Sequence, residues 1–519
     1  MKRDMKKKIN PSSANSHRRL VLKYAITSRL IIVFLILLWR CLLSPYDTSA
    51  SINPSCLLSE LNSHSPPVLL PRLAAAIEDS IVWDSVYFVR IAQCGYEYEH
   101  YYAFFPLLPV SLSLLSRTVF SPLIPVIGHR AVIGLSGYVL NNIAFVLAAL
   151  FLYRLSIAVV KDSELALRAS ILFCFNPASI FYSSIYTESL YALFSIGGLY
   201  YFTSGARNIA TLWFALSGFS RSNGILHAGY ICFQTMHSVY TSAVLHKRAP
   251  FAWDLLVGAL RSLCVIFPFI AFQAYGYYNM CMGQSARPWC KERIPLFYGY
   301  IQGHYWGVGF LKYFQTKQIP NFLLASPILS CALCSIIHYV KLQPEVFFSL
   351  GFRRTSPPMS NNNEQKISPF TYGTNAAGQE EVANLFVEEN DAFHKIQGSD
   401  HALKLRKQYS AVRGHNNSAT ESGKPNNHLA PTAAGAVIPM QVPLVLHLGF
   451  MTATAFLVMH VQVATRFLSA SPLLYWFGSY LMKHGFGKKI RRGGYFIWVY
   501  CWAYIFLGTL LFSNFYPFT

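Results

Sequence analysis

Charged residues are scarce in this 519-residue chain, and acidic ones are scarcer still. Only 13% of the residues are charged, with 22 Asp and Glu against 43 Lys and Arg, whereas 53% are hydrophobic and 15% aromatic. So apolar a composition predicts an all-α polytopic membrane protein. The basic excess is not a nucleic-acid footprint, because the sequence has neither a soluble basic face nor a nucleic-acid-reading module. We expect no nucleic acid partner and interpret the Lys and Arg residues as topology signals.

Clusters of His and acidic residues at metal-ligand spacing are missing too, as is any internal repeat. The first absence predicts a protein that works without a metal or another cofactor. The second weighs against a transporter built from repeats, although a multi-span transporter or lipid scramblase stays open as an alternative.

Hydrophobic runs of membrane length divide the chain, and the Lys- and Arg-rich connections orient it. Residues 1–23 form a basic tail that we expect in the cytosol, and the run at 24–43 is predicted to be a retained signal anchor. Two large loops, 45–130 and 277–319, then fall on the luminal side. Within the first, the Pro-interrupted stretch 104–121 is expected to lie in the interface, since a crossing there would place a basic connection in the lumen.

Further spans are predicted after this loop. They lie near 131–153, 169–186, 188–204, 209–220, 223–243, 255–276, 321–340, 441–467, 472–482 and 494–513. With the first, they number about eleven. Residues 351–437 interrupt the pattern with polar residues and no apolar period, which predicts a disordered cytosolic insert between a membrane core at 24–350 and C-terminal transmembrane helices at 438–519.

Four of the eleven cysteines fall in the predicted luminal loops: Cys56, Cys94, Cys281 and Cys290. An even number of cysteines in an oxidising compartment favours disulfides. Cys281 and Cys290 could close a small loop, but the spacing does not fix the pairing.

One carboxylate stands out in the first luminal loop, where Asp84 follows Trp83 in the apolar run 81–88. A carboxylate near a bilayer is costly to desolvate, which makes it a candidate functional group, although the dipeptide alone would be read more simply as a solvated Asp beside an interfacial Trp. Other polar or aromatic candidates are expected on the same side: His100, Glu188, Arg221, Asn223, Gln302, His304 and Trp306. Such residues commonly snorkel to the interface, but their shared side predicts one substrate-binding site.

Several of these residues belong to motifs that occur in a specific order. Trp83-Asp84 is followed by Ala103-Phe104-Phe105-Pro106, Phe175-Asn176-Pro177, Tyr186-Thr187-Glu188-Ser189, Ser220-Arg221-Ser222-Asn223-Gly224 and Gln302-Gly303-His304-Tyr305-Trp306. In this order the motifs resemble the PIG-V family of glycosylphosphatidylinositol (GPI) mannosyltransferases. The resemblance runs from 81 to 225 and extends past 310; it covers neither the N-terminal tail nor the insert.

The resemblance implies a GT-C class glycosyltransferase of the endoplasmic reticulum (ER) membrane with a luminal active site and interfacial helices in the first luminal loop. Such an enzyme transfers the second mannose, in α-1,6 linkage, from the co-substrate dolichyl-phosphate mannose to a mannosyl-glucosaminyl-phosphatidylinositol acceptor. The lipids of the ER membrane are expected as further partners. Another dolichyl-phosphate-sugar transferase of this class and a catalytically silent assembly subunit stay open, as does the need for a partner subunit.

The mannosyl transfer that the resemblance implies needs few protein groups. A β-linked donor and an α-linked product mean inversion by a single displacement, and the dolichyl phosphate is itself the leaving group, so one base and some phosphate ligands suffice. Asp84 is the candidate base, and Trp83 either stacks on a sugar or anchors its loop. Arg221 is the preferred phosphate ligand, ahead of His304 and Arg90, unless it pairs with Glu188. Glu188 could otherwise orient the acceptor, and His100 could hydrogen-bond either substrate.

Overall fold

Helices make up all the regular structure that the computed structural model describes. The described residues are 11–46, 56, 68–245, 251–282, 287–293, 296–352, 440–484, 493–516 and 518. The α-helices are α1 (Pro11–Leu42), α2 (Pro71–Asp79), α3 (Asp84–Cys94), α4 (Leu107–Arg117), α5 (Ile124–Ile127), α6 (His129–Val160), α7 (Ser163–Cys174), α8 (Ser179–Ser183), α9 (Glu188–Thr203), α10 (Arg207–Ser220), α11 (Ala228–Tyr240), α12 (Phe251–Cys281), α13 (Phe297–Tyr305), α14 (Ile319–Leu342), α15 (Pro344–Phe348), α16 (Gln441–Leu457), α17 (Ala464–Leu468), α18 (Pro472–His484) and α19 (Gly493–Ser513). The predicted insert, apart from residues 351 and 352, and residues 1–10 of the predicted basic tail lie outside the described residues.

Five of the described helices are long and apolar enough to cross a membrane, and each coincides with a predicted span. They are Asn15–Leu42, His129–Val160, Ala252–Cys281, Thr316–Leu342 and Gly494–Ser513. Leu107–Arg117 and Ser121–Ile127 form a further pair bent by 68°, which raises the number to six if the pair is one broken span. The stretch 104–121 is therefore not a straight span. Several other predicted spans are shorter helices, so the expected total of about eleven is not reached by helix length alone.

The predicted span 169–186 is divided in two. Helix α7 ends at Cys174, and a turn at Asn176 and Pro177 separates it from the short helix α8. Proline lacks the N–H that a continuing helix would need and disfavours helical geometry in the residue before it. The Asn176 side chain completes the turn by donating to the Phe173 carbonyl and accepting from the Ala178 N–H, each at 2.8 Å.

A buried arginine of α1 seals this break. Arg29 donates to the carbonyl oxygens of Cys174, at 3.2 Å, and Ser179, at 3.1 Å, and its guanidinium lies 3.7 Å from the Phe145 ring centroid. The helix break frees carbonyls that would otherwise lack donors in an apolar interior, and Arg29 supplies them. This arginine lies near the middle of a membrane-length helix, Asn15–Leu42.

The predicted span 441–467 is also broken. Helix α16 ends at Leu457, and α17 begins at Ala464 after a turn. The backbone N–H groups of Gly309 and Leu311 reach over to the carbonyls of Val458 and Leu457, at 3.2 and 2.7 Å. These bonds satisfy carbonyls at the end of α16. They also fix the turn between α16 and α17, which borders the candidate site described below.

The two predicted luminal loops pack on each other. Glu99, which is buried, accepts hydrogen bonds from the Trp289 indole and, at 2.8 Å, from the Tyr305 hydroxyl. Two disulfides, Cys56–Cys94 and Cys281–Cys290, lie in these loops. The possible loop closure by Cys281 and Cys290 is confirmed, and the two bonds use all four cysteines assigned to the lumen.

Candidate active site

A cleft of about 300 Å³ opens where the N-termini of α3 and α9, the end of α10, helix α13 and the turn between α16 and α17 meet. It brings together residues that lie far apart in the sequence. Seven of the nine predicted site residues line it: Trp83, Asp84, Glu188, Arg221, Asn223, Gln302 and Trp306. The predicted polar motifs therefore converge in space, while the chemical roles assigned to them stay predictions.

Asp84 is the first residue of α3, and its position is fixed by unusual backbone geometry. The preceding Trp83 has φ of 53°, in a region that side-chain-bearing residues rarely adopt and that costs on the order of 1–3 kcal/mol. The Trp83 indole donates to the Phe512 carbonyl at 3.2 Å, and the Asp84 N–H donates to the Tyr186 hydroxyl at 3.0 Å. The carboxylate is one-third exposed, at 34%. It thus stands at a helix N-terminus, where the partial positive charge favours an anion.

Trp83 was predicted either to stack on a sugar or to anchor its loop. Its contacts with the C-terminal segment support the anchoring role, because the indole N–H is bonded to Phe512 and the ring lies 5.7 Å from that of Phe515. It nevertheless borders the cleft.

Glu188 begins α9 and is almost fully buried, with 3% of its side chain exposed. Arg221 donates through Nη1 to its Oε1, so the alternative pairing foreseen for Arg221 is present. Among the described residues, no partner reaches the Glu188 Oε2 or the buried Oδ1 of Asn223. Two hydrogen-bond acceptors of the cleft are therefore free to receive donors from a bound molecule.

Arg466 of α17 is a cleft residue that the sequence analysis missed. Its Nη1 lies 3.2 Å from Asp84 Oδ2 and its Nε lies 3.9 Å from Glu188 Oε1. The guanidinium also packs on the rings of Phe181 and Tyr186, 5.2 and 5.5 Å from their centroids. A signal for it existed: Arg466 was a lone charge within the predicted span 441–467, and an ionisable residue in such a segment is itself a functional candidate.

Charges of opposite sign alternate through the cleft. Asp84 contacts Arg466, Arg466 approaches Glu188, and Glu188 binds Arg221. The four charges cancel, which makes their burial tolerable. Both guanidinium groups approach the same atom, Glu188 Oε1. An anion that entered the cleft could therefore interact with both cations by replacing this one carboxylate oxygen.

Helix α13 and the turn before α17 form another wall. Gln302 and Trp306 lie four residues apart, on one helical face, and both border the cleft. The turn adds His460 and Gln462, which the sequence analysis also missed. His460 stacks on Tyr313 at 4.7 Å between ring centroids, and Gln462 accepts a hydrogen bond from the Tyr313 hydroxyl.

His100 and His304 do not line the cleft, so the structure does not bring them together with the other seven predicted site residues. His304 lies two positions after Gln302, which turns it about 200° around α13, and its exposed ring stacks on Tyr300 at 5.1 Å. His100 lies among the rings of Tyr87, Tyr101 and Tyr305, 4.8 to 5.8 Å away. Burial lowers the pKa of His100, although the neighbouring Glu99 partly opposes this effect.

Arg90, a secondary candidate for phosphate binding, is also engaged elsewhere. It is buried in an ion pair with Glu97, with 2.7 Å between Nη2 and Oε2. Nearby, Cys56, Cys94 and Glu97 are the one group of three potential metal ligands in the described part of the chain, and its two sulfurs are joined as a disulfide. Metal independence stays a prediction.

Comparison with known proteins gives a consistent result along the chain. A family model described as "Mannosyltransferase (PIG-V)" matches residues 18–519. The chain is 27% identical to "GPI alpha-1,6-mannosyltransferase 2" of Homo sapiens over 500 aligned positions, covering 90% of this chain and 84% of the human protein. The protein of that name in Rattus norvegicus is 31% identical over 365 positions, with coverages of 64% and 71%. "GPI mannosyltransferase 2" of Drosophila melanogaster is 25% identical over 537 positions, with coverages of 96% and 99%. No solved structure matches the chain significantly.

Proposed function

The chain belongs to the mannosyltransferase (PIG-V) family, and from this membership we propose that it transfers the second mannose of a GPI anchor, in α-1,6 linkage, at the luminal face of the ER membrane. The proposed donor is dolichyl-phosphate mannose, and the proposed acceptor is mannosyl-glucosaminyl-phosphatidylinositol. One observation carries the proposal beyond the family: the cleft holds a partly exposed carboxylate, Asp84, in contact with Arg466 and near Arg221 through Glu188.

Asp84 acts as the general base in this proposal. Inversion at the anomeric carbon requires one displacement, in which the acceptor hydroxyl loses a proton as it attacks. Asp84 is the most exposed carboxylate of the cleft, at 34% against 3% for Glu188. Glu188 is already occupied through Oε1 by Arg221. The more accessible carboxylate is therefore the one placed to receive the proton.

Arg466 and Arg221 hold the phosphate of the donor. The leaving dolichyl phosphate gains negative charge as the sugar–oxygen bond breaks, and guanidinium groups stabilise such charge with several N–H donors. The Arg466 Nε is buried with no hydrogen-bond partner among the described residues, and its 3.9 Å approach to Glu188 is an ion-pair distance rather than a hydrogen bond. A phosphate oxygen that reached it would supply the acceptor that this donor lacks.

Glu188 and Asn223 bind sugar hydroxyl groups. Their free acceptor atoms, Oε2 and Oδ1, need donors, and sugar hydroxyls supply them. Gln302 and Trp306 border the same space, where an indole ring suits the apolar face of a sugar.

The deciding experiment supplies purified protein in liposomes with labelled dolichyl-phosphate mannose and mono-mannosyl GPI lipid. We expect one added mannose, with linkage analysis identifying a 6-substituted mannose. A product of another linkage would overturn the substrate assignment. Movement of the lipids between leaflets without mannose transfer would replace the proposal with the scramblase alternative.

A further inference from the structure

Two histidines lie beneath the cleft, outside the residues that line it. His227 ends the six-residue 3-10 helix Ser222–His227 and is 1% exposed, and His447 lies on α16. Their ring centroids are 5.4 Å apart, and the rings are nearly perpendicular, at 87°. The proposed reaction uses neither group, so their burial side by side calls for a separate explanation.

His227 ties the turn that carries Arg221 and Asn223 to the helix before it. Its Nδ1 lies 2.9 Å from the Gly224 carbonyl oxygen and 3.1 Å from Ser217 Oγ. A carbonyl only accepts, so Nδ1 carries the proton and donates. The ring also stacks on Phe214 of α10, at 4.8 Å and 12°. One side chain thus fixes the turn against α10 by hydrogen bonds and by stacking.

The turn that carries Arg221 and Asn223 packs closely against the backbone of α10, which leaves it little room to move. A Cβ on Gly224 would lie 2.4 Å from the Gly218 nitrogen and 2.5 Å from its Cα, so the turn rests directly on the backbone of α10. Tyr191 fills the space between the turn and α9, with its ring 5.9 Å from His227 and 5.9 Å from the Arg221 guanidinium carbon. A displacement of His227 would therefore be passed on to Arg221.

His447 connects this arrangement to the second arginine. Its Nδ1 lies 2.7 Å from the Tyr230 hydroxyl. A small cavity of about 30 Å³ is lined by both histidines and by Phe467 and Leu468 of α17. Phe467 also lines the cleft, directly after Arg466 in the chain. The histidine pair thus borders the same cavity as the segment that carries Arg466, and His227 also fixes the turn that carries Arg221.

We propose that His227 and His447 are positioning residues that set the placement of Arg221 relative to Arg466. This inference rests on the proposed function, since it assigns both guanidinium groups to the donor phosphate. Loss of either histidine changes no residue of the cleft but shifts its two guanidinium groups, and an error of about 1 Å in such a site costs up to about 10²-fold in rate.

The test compares His227→Phe, which keeps the ring stack but removes the hydrogen bonds, with His227→Asn, whose amide N–H replaces the Nδ1 donor. For His227→Phe we expect kcat/KM for dolichyl-phosphate mannose to fall on the order of 10- to 100-fold, with the KM for the GPI acceptor unchanged. His227→Asn should recover most of the loss, and His447→Phe should reproduce it. His447→Phe combined with Arg466→Lys should lose less than the product of the two separate effects.

His237→Phe is the matched control. His237 is also buried, lies on α11 and bonds a backbone carbonyl, that of Leu350 at 2.8 Å, but it does not border the cleft or the cavity. A donor-specific loss of equal size in His237→Phe, or wild-type kinetics in both His227→Phe and His447→Phe, would overturn the inference. If the wild-type protein transferred no mannose, the proposed function itself would fail instead.

Discussion

Arg466 forms an ion pair with Asp84 across 382 positions of the chain, with 3.2 Å between Nη1 and Oδ2. In the proposed reaction these two groups have opposite tasks, since one accepts a proton from the acceptor sugar and the other neutralises the departing phosphate. The ion pair keeps both in place before substrates enter. In the proposed reaction, a phosphate that binds Arg466 would release the Asp84 carboxylate toward the acceptor hydroxyl.

Replacing Asp84 with Asn should abolish transfer while the protein still inserts and accumulates. Asn keeps the shape of the side chain but cannot accept the proton, and removal of a general base costs on the order of 10²–10⁴-fold in rate. Mannose transfer to the mono-mannosyl GPI lipid in microsomes provides the measurement. Asp79→Asn is the control, because Asp79 is exposed and only loosely paired with Arg40, at 3.9 Å. Near-normal transfer by Asp84→Asn would refute the base assignment.

Replacing Arg466 with Gln should lower kcat/KM for the donor on the order of 10²-fold, and Arg466→Lys should keep part of the activity. Lys retains the charge but lacks the fork of donors that contacts Asp84 and approaches Glu188. Arg168→Gln, which removes an exposed ion pair with Glu164 on α7, should have no effect. Equal activity of the Lys, Gln and wild-type proteins would exclude Arg466 from phosphate binding.

The stability of the protein should depend on His100 as the pH falls. Burial lowers the pKa of His100 in the folded protein below its ordinary value of 6.5. The unfolded chain therefore takes up this proton first, so the contribution of the neutral imidazole is complete above pH 6.5 and is lost progressively below it. Thermal unfolding of purified protein between pH 7 and pH 5 should show a weaker acid destabilisation in His100→Asn. Parallel curves for the two proteins would count against this effect.

Removing the Cys281–Cys290 disulfide with serines should lower the free energy of unfolding by roughly 2–4 kcal/mol. The bond ties the end of α12 to the loop that supplies Trp289 to Glu99. Cys264→Ser, at an exposed free cysteine, should leave stability unchanged. Loss of stability in the control, or none in the double serine variant, would show that the disulfide does not brace the loop.

Chelation of divalent metals should leave mannose transfer intact. The proposed reaction assigns charge stabilisation to Arg221 and Arg466, a task that a metal ion performs in other transferases. Transfer measured with and without EDTA checks this expectation. A strong loss on chelation, restored by adding back one metal, would require a cation in the cleft.

Seven of the nine site residues predicted from the sequence line the cleft, because the signals that single them out are local. Asp84, Glu188 and Arg221 are each charged residues at the edge of an apolar run, and a common side of the membrane was enough to group them. Arg466 was missed because it lies within the predicted apolar span 441–467, which the structure divides between α16 and α17. His304 does not line the cleft with Gln302, because residues on one side of the membrane can lie on different faces of one helix, and two positions along α13 separate these side chains by about 200°.

The helix boundaries were harder to predict from the sequence than the residues of the candidate site. The break at Pro177 has a clear local cause, but Arg29, more than a hundred positions earlier, supplies donors to carbonyls on both sides of it. Such long-range compensation leaves no periodic signal. Because such breaks are not visible in the hydrophobic pattern, the number of spans predicted from apolar runs exceeds the number of membrane-length helices in the described structure.

The contact between Trp83 and Phe512, together with Phe518 in the wall of the cleft, has a consequence for biosynthesis. At ribosomal rates of about 5–20 residues per second, the 382 positions between Asp84 and Arg466 correspond to roughly 20–75 s, during which Asp84 lacks its cationic partner. Glu188 gains a partner sooner, because Arg221 follows it by 33 positions, so the cleft has its full set of charges only when synthesis is nearly complete.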